Sequence, residues 1–278
     1  MLPESEGSFC TTTDGATLAF TVVGSGPPVL MIQGVGVIGR GWQPQIDGLS
    51  DRFTGITFDN RGIGGSTPGR DSLSIEVMAR DALAVADAAG ATRFHLVGHS
   101  MGGVIAQEVA LRAPGRVRSL TLMCTFVRGR DGTALNARML WLGLRTRLGT
   151  RGMRRLAFLE MVMPKSALAA LDRAALADRL STLFGHDLAD SPPIVMPQLR
   201  ALSRYDAADR LTSLGGIPTL VMGGAHDPIA RPASGRALAA AIPGARHLEY
   251  PDASHGLPLQ FPDRVNTELA AHWISHEP

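Results

Sequence analysis

Residues 94–103 read FHLVGHSMGG, and this stretch decides the fold. Its first four residues form an apolar run that predicts a buried strand, and the apolar residues after it predict a helix. Gly98, Ser100 and Gly102 stand at the corner between the two, in the Gly-x-Ser-x-Gly spacing of a nucleophile elbow. A sharp strand-to-helix corner leaves little room for neighbouring side chains, which explains the glycines. The stretch therefore presents Ser100 as a candidate nucleophile.

Strands and helices alternate on both sides of this corner. Asp14-Gly15 between two β-rich runs predicts a hairpin near the start of the chain. The strand candidates are the runs 29–32, 53–58, 94–97, 117–124, 218–222 and 246–250. The helix candidates between them cover 43–49, the segment up to about residue 89, the segment from 101 to before Pro114, 233–241 and 262–274. This order predicts an α/β fold with a mostly parallel, doubly wound sheet.

The alternation stops between residues 128 and 210, where helical periodicity continues without a convincing strand. Helices are predicted over 135–144, 153–163, 167–183 and 198–202, with prolines and glycines between them. We therefore expect one core domain built from residues 1–127 and 211–278. Residues 128–210 are expected to form an inserted helical lid over the carboxyl edge of the sheet.

A nucleophilic serine needs a base, and the base needs a group that orients it. Candidates should lie in loops after strands, because the carboxyl ends of parallel strands form the reactive edge. His255 follows the last predicted strand, and Asp227 follows the strand before it. The chain order is then Ser, Asp, His, which agrees with the elbow pattern. Asp252 and Asp206 are the weaker alternatives for the acid.

The remaining histidines have no comparable placement, and a lone histidine is usually structural or solvated. They include His95, His99, His186, His272 and His276. His95 and His99 are four residues apart, but they fall on a strand and a turn and have no carboxylate ligand beside them. No dinucleotide-binding fingerprint follows the glycines near residue 34. We therefore expect neither a metal nor a cofactor.

Composition narrows the class of protein further. The chain has 278 residues, 45% of them hydrophobic and 19% charged, with a net charge of +2, which gives no reason to expect a nucleic-acid partner. No apolar run approaches the ~18 residues of a membrane span, and the first residues do not read as a secretory signal. Cys10 and Cys124 do not form a disulfide framework. We expect a cytoplasmic enzyme for a small-molecule substrate, with a homodimer left open.

These motifs together resemble the α/β-hydrolases, and within them the serine esterase and enol-lactonase-like branch. The resemblance covers nearly the whole chain and includes the Gln33-Gly34 turn, the phrase FDNRG at 58–62, the elbow, Asp227 and His255. It implies an oxyanion hole formed by the backbone N–H groups of Val35 and Met101. Many relatives have His-Gly at the position of Gln33-Gly34, so the polar group near the pocket differs here. Relatives that open epoxides or remove halides use an aspartate where this chain has Ser100.

The expected activity is hydrolysis of a carboxylic ester or lactone of a fairly hydrophobic small molecule, through Ser100, His255 and Asp227 and an acyl-enzyme. Two alternatives stay open, because fold alone does not settle function. One is hydrolysis of a carbon–carbon bond, or another reaction on the same three residues. The other is a receptor of the same fold that binds a small ligand without turnover.

The predicted lid should set specificity through its large apolar side chains. The candidates for substrate binding are Gln33, Trp141, Phe158 and Met161. The same segment carries a cluster of arginines with one acid, Asp131, among them, which suits a solvated helix face, a carboxylate-bearing substrate or an anionic surface. The cluster consists of Arg128, Arg130, Arg138, Arg145, Arg147, Arg151, Arg154 and Arg155.

Overall fold

An eight-stranded sheet forms the centre of the computed structural model, which describes residues 7–133 and 137–277. Its strands are β1 (Ser8–Thr11), β2 (Thr17–Val23), β3 (Pro28–Ile32), β4 (Thr54–Phe58), β5 (Phe94–His99), β6 (Val117–Met123), β7 (Thr219–Gly224) and β8 (Arg246–Tyr250). They lie in the order β1-β2-β4-β3-β5-β6-β7-β8. Strand β2 is antiparallel to β1 and β4, and the other neighbours are parallel. The predicted α/β fold with a mostly parallel sheet is confirmed.

Helices of the core follow the strands, and apart from the short helix at 257–260, which was not predicted, they begin and end close to the predicted residues. They are α1 (Gln43–Leu49), α2 (Ile75–Ala88), α3 (Met101–Arg112), α10 (Pro232–Ala241), α11 (Leu257–Gln260) and α12 (Pro262–Ile274). Ser74 caps α2 by accepting a hydrogen bond from the Val77 N–H. The apolar runs of β3 and β5 are buried almost throughout, as expected for strands covered on both faces.

The segment between β6 and β7 is helical. It contains α4 (Gly129–Thr133), α5 (Ala137–Arg145), α6 (Arg151–Val162), α7 (Lys165–Ala169), α8 (Arg173–Phe184) and α9 (Val195–Arg204). A separate apolar cluster holds α6, α7 and α8 together, with Leu159, Leu168 and Leu180 buried in it. The helical insertion therefore has a core of its own beside the larger core around the sheet.

Three details of the insertion differ from the sequence prediction. Helix α4 lies outside every predicted helix. The single helix predicted over 167–183 is two helices, because the Asp172 carboxylate accepts from the N–H groups of Ala174 and Ala175 and starts α8 there. Pro197 does not interrupt α9 but lies in its first turn, where a proline needs no N–H partner. Residues 134–136, which include the predicted start of α5, and the first six residues, which bear on the secretory prediction, lie outside the described residues.

Acidic side chains from elsewhere in the insertion neutralise much of the arginine cluster. The ion pairs are Arg128 and Arg130 with Asp206, Arg145 with Glu160, Arg151 with Asp187, and Arg155 with Asp178 and Asp187. Asp131 is thus not the acid that balances the cluster, and the partners come from 160–206 because the helices fold back on one another. The side chain of Arg138 lies outside the described part of the chain.

No helix in residues 7–133 and 137–277 combines the length and apolar composition needed to cross a membrane. Cys10 and Cys124 are both free thiols.

A buried ionic group links the first hairpin to α2 beneath the loop after β4. The Arg61 guanidinium donates two hydrogen bonds of 2.6 Å to Asp81 and one of 2.8 Å to Asp14. The hydrogen bonds from Arg61 hold the pKa of Asp14 well below its usual range. Because the folded pKa is the lower one, this carboxylate adds stability at neutral pH that is lost as the pH falls below roughly 4.

Replacing Arg61 should destabilise the fold strongly, because two buried carboxylates would lose their cation. We expect Arg61→Met to lower the free energy of unfolding by about 3–5 kcal/mol in urea denaturation. Arg80→Met is the control, since Arg80 pairs with Asp71 at 2.6 Å but both side chains are about half exposed. Its cost should be about 0–1 kcal/mol. Equal costs for the two variants would contradict the importance of the buried group.

Candidate active site

Ser100 sits on a sharp corner between β5 and α3, with backbone angles of φ 57° and ψ −122° that few L-residues adopt. The corner is crowded on both sides. A methyl group on Gly98 would clash with the Gly102 carbonyl oxygen, and one on Gly102 would clash with the Ile32 carbonyl oxygen. The two glycines are therefore required by the close approach of β5, α3 and the end of β3.

Three predicted side chains meet at this corner. Ser100 Oγ lies 3.0 Å from His255 Nε2, and His255 Nδ1 lies 2.8 Å from Asp227 Oδ2. Ser100, His255 and Asp227 are 8%, 6% and 3% exposed. A base that contacts the hydroxyl through one nitrogen and a carboxylate through the other is arranged to take the serine proton.

Asp227 makes further contacts that fix its carboxylate. Its second oxygen, Oδ1, accepts hydrogen bonds from the N–H groups of Ile229 and Ala230 at 2.8 and 2.9 Å. The side chain therefore caps the turn after β7 through one oxygen and contacts His255 through the other. Neither alternative acid takes its place, because Asp252 pairs with Arg264 and Asp206 pairs with Arg128.

The turn at residues 34–36 lies against the nucleophile. A methyl group on Gly34 would come within 3.0 Å of Ser100 Cβ and 3.5 Å of Ser100 Oγ. Met101 is the first residue of α3, where a helical N–H has no partner within its own helix. The positions of Val35 and Met101 are thus compatible with a pair of donors beside Ser100.

Gln33, just before this turn, is buried and folded onto the backbone. Its side-chain Oε1 accepts from the Gly34 N–H at 3.3 Å. Its backbone carbonyl oxygen accepts from Asn60 Nδ2 at 3.1 Å. Asn60 belongs to the FDNRG phrase, so one role of that phrase is to hold the start of the 34–36 turn.

His99 lies beside the base but is arranged differently. Its Nε2 donates to the His255 carbonyl oxygen at 2.8 Å, and the two rings are 5.0 Å apart. Burial, followed by the neighbouring His255, lowers the pKa of His99 to about 3. His99 is therefore neutral between pH 5 and 8. His95 is remote from this group and contacts Ser119 and Glu277.

Sequence reasoning missed two residues that follow β6. Thr125 Oγ1 donates to the Ser100 carbonyl oxygen at 2.7 Å, and buried Cys124 adopts a positive φ of 47°. The Cys124 thiol faces the Ser254 carbonyl oxygen, and burial raises its pKa well above the usual value. Their position directly after a central parallel strand was the signal that could have found them.

One set of metal-ligating side chains exists among the described residues: His99, Cys124 and His255, with ligand atoms within 4.8 Å of one another. The set does not fit a metal well. His255 already contacts Ser100 and Asp227, and His99 donates to a carbonyl group. The raised pKa of Cys124 opposes the thiolate that a metal needs.

The predicted substrate-binding side chains of the insertion occupy different environments. Phe158 and Met161 are half-buried and pack against the apolar cluster of the insertion. The Phe158 ring meets the Phe184 ring edge-on at 5.8 Å. Trp141, on α5, is 59% exposed.

A cleft of about 650 Å³ opens where α7 meets the loop after β7. Its lining consists of Pro164, Lys165, Ser166, Ala225, His226, Asp227, Pro228 and Arg231. Of Ser100, His255 and Asp227, the cleft is lined only by Asp227. The cleft therefore lies beside the acid and not at the nucleophile.

The crowding at the corner gives a test of its geometry. Although alanine favours helices over glycine, Gly102→Ala should destabilise the protein by at least about 1–3 kcal/mol, because its methyl group would clash with β3. Gly152→Ala in α6 is the control, since a methyl group there meets nothing within 4 Å, and it should stabilise by up to about 1 kcal/mol. Thermal unfolding of both variants measures the difference. A Gly102→Ala protein as stable as wild type would refute the close approach.

Comparison with known proteins places this geometry in a family. The family described as alpha/beta hydrolase fold matches residues 27–262. RutD of Azorhizobium caulinodans, named as a proposed carbamate hydrolase, is 31% identical over 256 residues, which cover 91% of this chain and 94% of that protein.

Solved structures share the fold over nearly their whole length. A thermophilic esterase from Thermogutta terrifontis has a TM-score of 0.78 at 26% identity, covering 98% of this chain and 100% of its own. The enol-lactonase of Burkholderia xenovorans LB400 has a TM-score of 0.79 at 24% identity over 96% of this chain and 100% of its own, a likeness of fold alone. As the resemblance of its motifs predicted, the chain belongs to the alpha/beta hydrolase fold family.

Proposed function

We propose that the protein is a serine hydrolase that cleaves a carboxylic ester or lactone through a Ser100–His255–Asp227 triad. One observation carries the proposal: an unbroken line of hydrogen bonds runs from Ser100 Oγ through the His255 ring to Asp227, and it starts on a strained corner. Strained backbone angles of this kind cost stability and are common at active sites, so their presence at a serine beside a base supports a catalytic role for Ser100.

In the first half of the reaction, His255 Nε2 takes the proton from Ser100 Oγ as that oxygen attacks the carbonyl carbon. The resulting oxyanion accepts hydrogen bonds from the N–H groups of Val35 and Met101. His255 then gives its proton to the leaving alcohol oxygen, which departs and leaves an acyl-enzyme. Asp227 orients the imidazole and stabilises its cation.

In the second half, His255 takes a proton from water as the water oxygen attacks the acyl carbon. The second oxyanion rests on the same two N–H groups. When it collapses, the Ser100 oxygen leaves and recovers its proton from His255, and the carboxylic acid is released. A lactone follows the same steps, with the leaving alcohol still part of the acyl chain.

We propose that residues 128–210 act as the lid, with residues 1–127 and 211–278 as the core domain. Contacts between the insertion and the base loop support this, because the Gly256 N–H donates to the Val162 carbonyl oxygen at 2.7 Å. The apolar cluster that Phe158 and Met161 border favours a fairly hydrophobic substrate. Trp141 is the most exposed of the side-chain candidates, which makes it the least suited to an enclosed pocket.

A carbamate is the second candidate substrate class, favoured by the 31% identity to RutD. Attack by Ser100 on a carbamate carbonyl group uses the same base and the same donors. The same three residues are also compatible with the two alternatives that the sequence left open, which are carbon–carbon bond hydrolysis and ligand binding without turnover.

Labelling with a fluorophosphonate tests the nucleophile directly. Wild-type protein should label and should hydrolyse members of a panel of p-nitrophenyl esters, lactones and carbamates. Ser100→Ala should lose the label and lower turnover by roughly 10⁴-fold or more. Ser203→Ala, at an exposed serine of α9, is the matched control and should change neither.

Each other outcome has a defined meaning. Failure of wild type to label, or undiminished turnover by Ser100→Ala, would reject the serine mechanism. Labelling without turnover of any member of the panel would favour carbon–carbon bond hydrolysis or a receptor over ester hydrolysis.

The pH dependence tests the base. Activity should rise between pH 5 and 8, because a histidine base accepts the proton of serine only in its neutral form, and histidine is the side chain whose charge typically changes in this range. His99 cannot supply this rise, since its pKa of about 3 keeps it neutral throughout. A profile that stays flat from pH 5 to 8 would count against His255 as the base.

A further inference from the structure

Two side chains of the helical insertion contact the 34–36 turn through hydrogen bonds to Gly36. The Gly36 N–H donates to Gln198 Oε1 at 2.8 Å. His186 Nε2 lies 2.9 Å from the Gly36 carbonyl oxygen and donates to it in the tautomer that carries the proton on Nε2, while His186 Nδ1 lies 2.9 Å from the Asp187 carbonyl oxygen. Gln198 is on α9, and His186 follows α8. Both polar groups of one glycine are therefore held by side chains 150 or more residues away in sequence.

Helix α9 lies across several loops at the carboxyl edge of the sheet. A methyl group on Gly36 would come within 3.0 Å of Val195 Cγ2, and one on Gly62 within 2.8 Å of Ile194 Cδ1. Towards the other end of the helix, the Leu202 backbone lies against Gly129, just beyond β6. The hydrogen bonds to Gly36 are thus part of a larger contact between the region of α9 and these loops.

The side-chain amide of Gln198 makes no second hydrogen bond in the described part of the chain. The side chain is 0% exposed, and its Nε2 has no hydrogen-bond partner there. A buried donor without a partner costs about 1–3 kcal/mol. An apolar side chain of the same size would avoid that cost, so packing alone does not account for a glutamine whose single hydrogen bond goes to Gly36.

The contacts act on either side of one peptide group. The Val35 N–H belongs to the peptide group between Gly34 and Val35. On its amino side, Asn60 holds the Gln33 carbonyl oxygen at 3.1 Å. On its carboxyl side, Gln198 holds the Gly36 N–H. Within the turn, the Gly34 carbonyl oxygen of this same peptide group accepts from the Val37 N–H at 3.5 Å. Together these contacts restrict the direction of the Val35 N–H.

We propose that Gln198 and His186 are positioning residues that aim the Val35 N–H at the developing oxyanion, so that the helical insertion completes the oxyanion hole. This inference rests on the proposed serine hydrolase function. Neither side chain reacts; both act through the backbone of Gly36. The insertion then has a catalytic role besides covering the substrate.

The test replaces each contact by a side chain of similar size that cannot make it. Gln198→Met removes the acceptor, and His186→Phe removes the donor, whereas His186→Gln keeps an N–H donor. On a p-nitrophenyl ester, we expect kcat to fall about 10-fold or more in the first two variants with little change in KM. The fall should stay below the ~10²–10³ of a lost oxyanion donor. His186→Gln should recover most of the activity.

A trifluoromethyl ketone provides a second readout, because its adduct with Ser100 carries an oxyanion. Its inhibition constant should rise with Gln198→Met and His186→Phe in step with the fall in kcat. Asn266→Leu is the matched control, because it too removes a buried amide with one hydrogen bond and one unpartnered atom. Asn266 lies on α12, where its Nδ2 donates to the Pro44 carbonyl oxygen. It should change stability and leave kcat per folded molecule unaltered.

The outcomes separate the inference from the proposed function. If wild type neither labels nor hydrolyses the ester, the proposed function fails. If wild type is active and folded Gln198→Met and His186→Phe keep the wild-type kcat and inhibition constant, the inference fails. If Gln198→Met does not fold, the comparison of His186→Phe with His186→Gln decides, since equal kcat values would overturn it.

Discussion

The crowded corner at Ser100 is the constraint on which the rest of the site depends. Its backbone angles are costly for a serine, about 1–3 kcal/mol in general, and persist only where neighbours over-determine them. Here the Ser100 N–H donates to the Met123 carbonyl oxygen at 2.9 Å, and the Ser100 carbonyl oxygen accepts from Thr125. The last residue of β6 and a residue just after that strand therefore hold the two sides of the corner. Gly98 and Gly102 make room for it, and α3 begins directly behind it.

Polar side chains tie the loops of the carboxyl edge to one another. Asp59 accepts from the N–H groups of Gly39 and Gly65 at 2.8 and 2.9 Å, and Asn60 reaches back to the residue before the 34–36 turn. Arg61, next in sequence, is buried between two carboxylates. Three consecutive residues thus serve three different loops. This explains why the phrase around them is polar even though much of it is buried.

Different hydrogen-bond partners separate the roles of two neighbouring histidines. The rings of His99 and His255 are 5.0 Å apart between centroids. His99 is neutral at physiological pH, and its Nε2–H donates to the His255 carbonyl oxygen. His255 has a carboxylate on one side and a hydroxyl on the other. Identical side chains therefore differ in what they can do because their partners differ. A neutral neighbour would also avoid a second positive charge beside the imidazolium that the proposed mechanism forms at His255.

The amino-acid sequence alone predicted the strand segments, a mostly parallel sheet without its strand order, most element boundaries, and the three side chains that meet at the corner, which are Ser100, His255 and Asp227. Those features follow from local rules: apolar runs make buried strands, glycines permit the corner, and loops after parallel strands share one edge. Tertiary structure alone decided the partners of Arg61 and the hydrogen bond from Gly36 to Gln198. These depend on which distant surfaces pack together, and no periodicity or spacing in the chain records a contact across 162 residues.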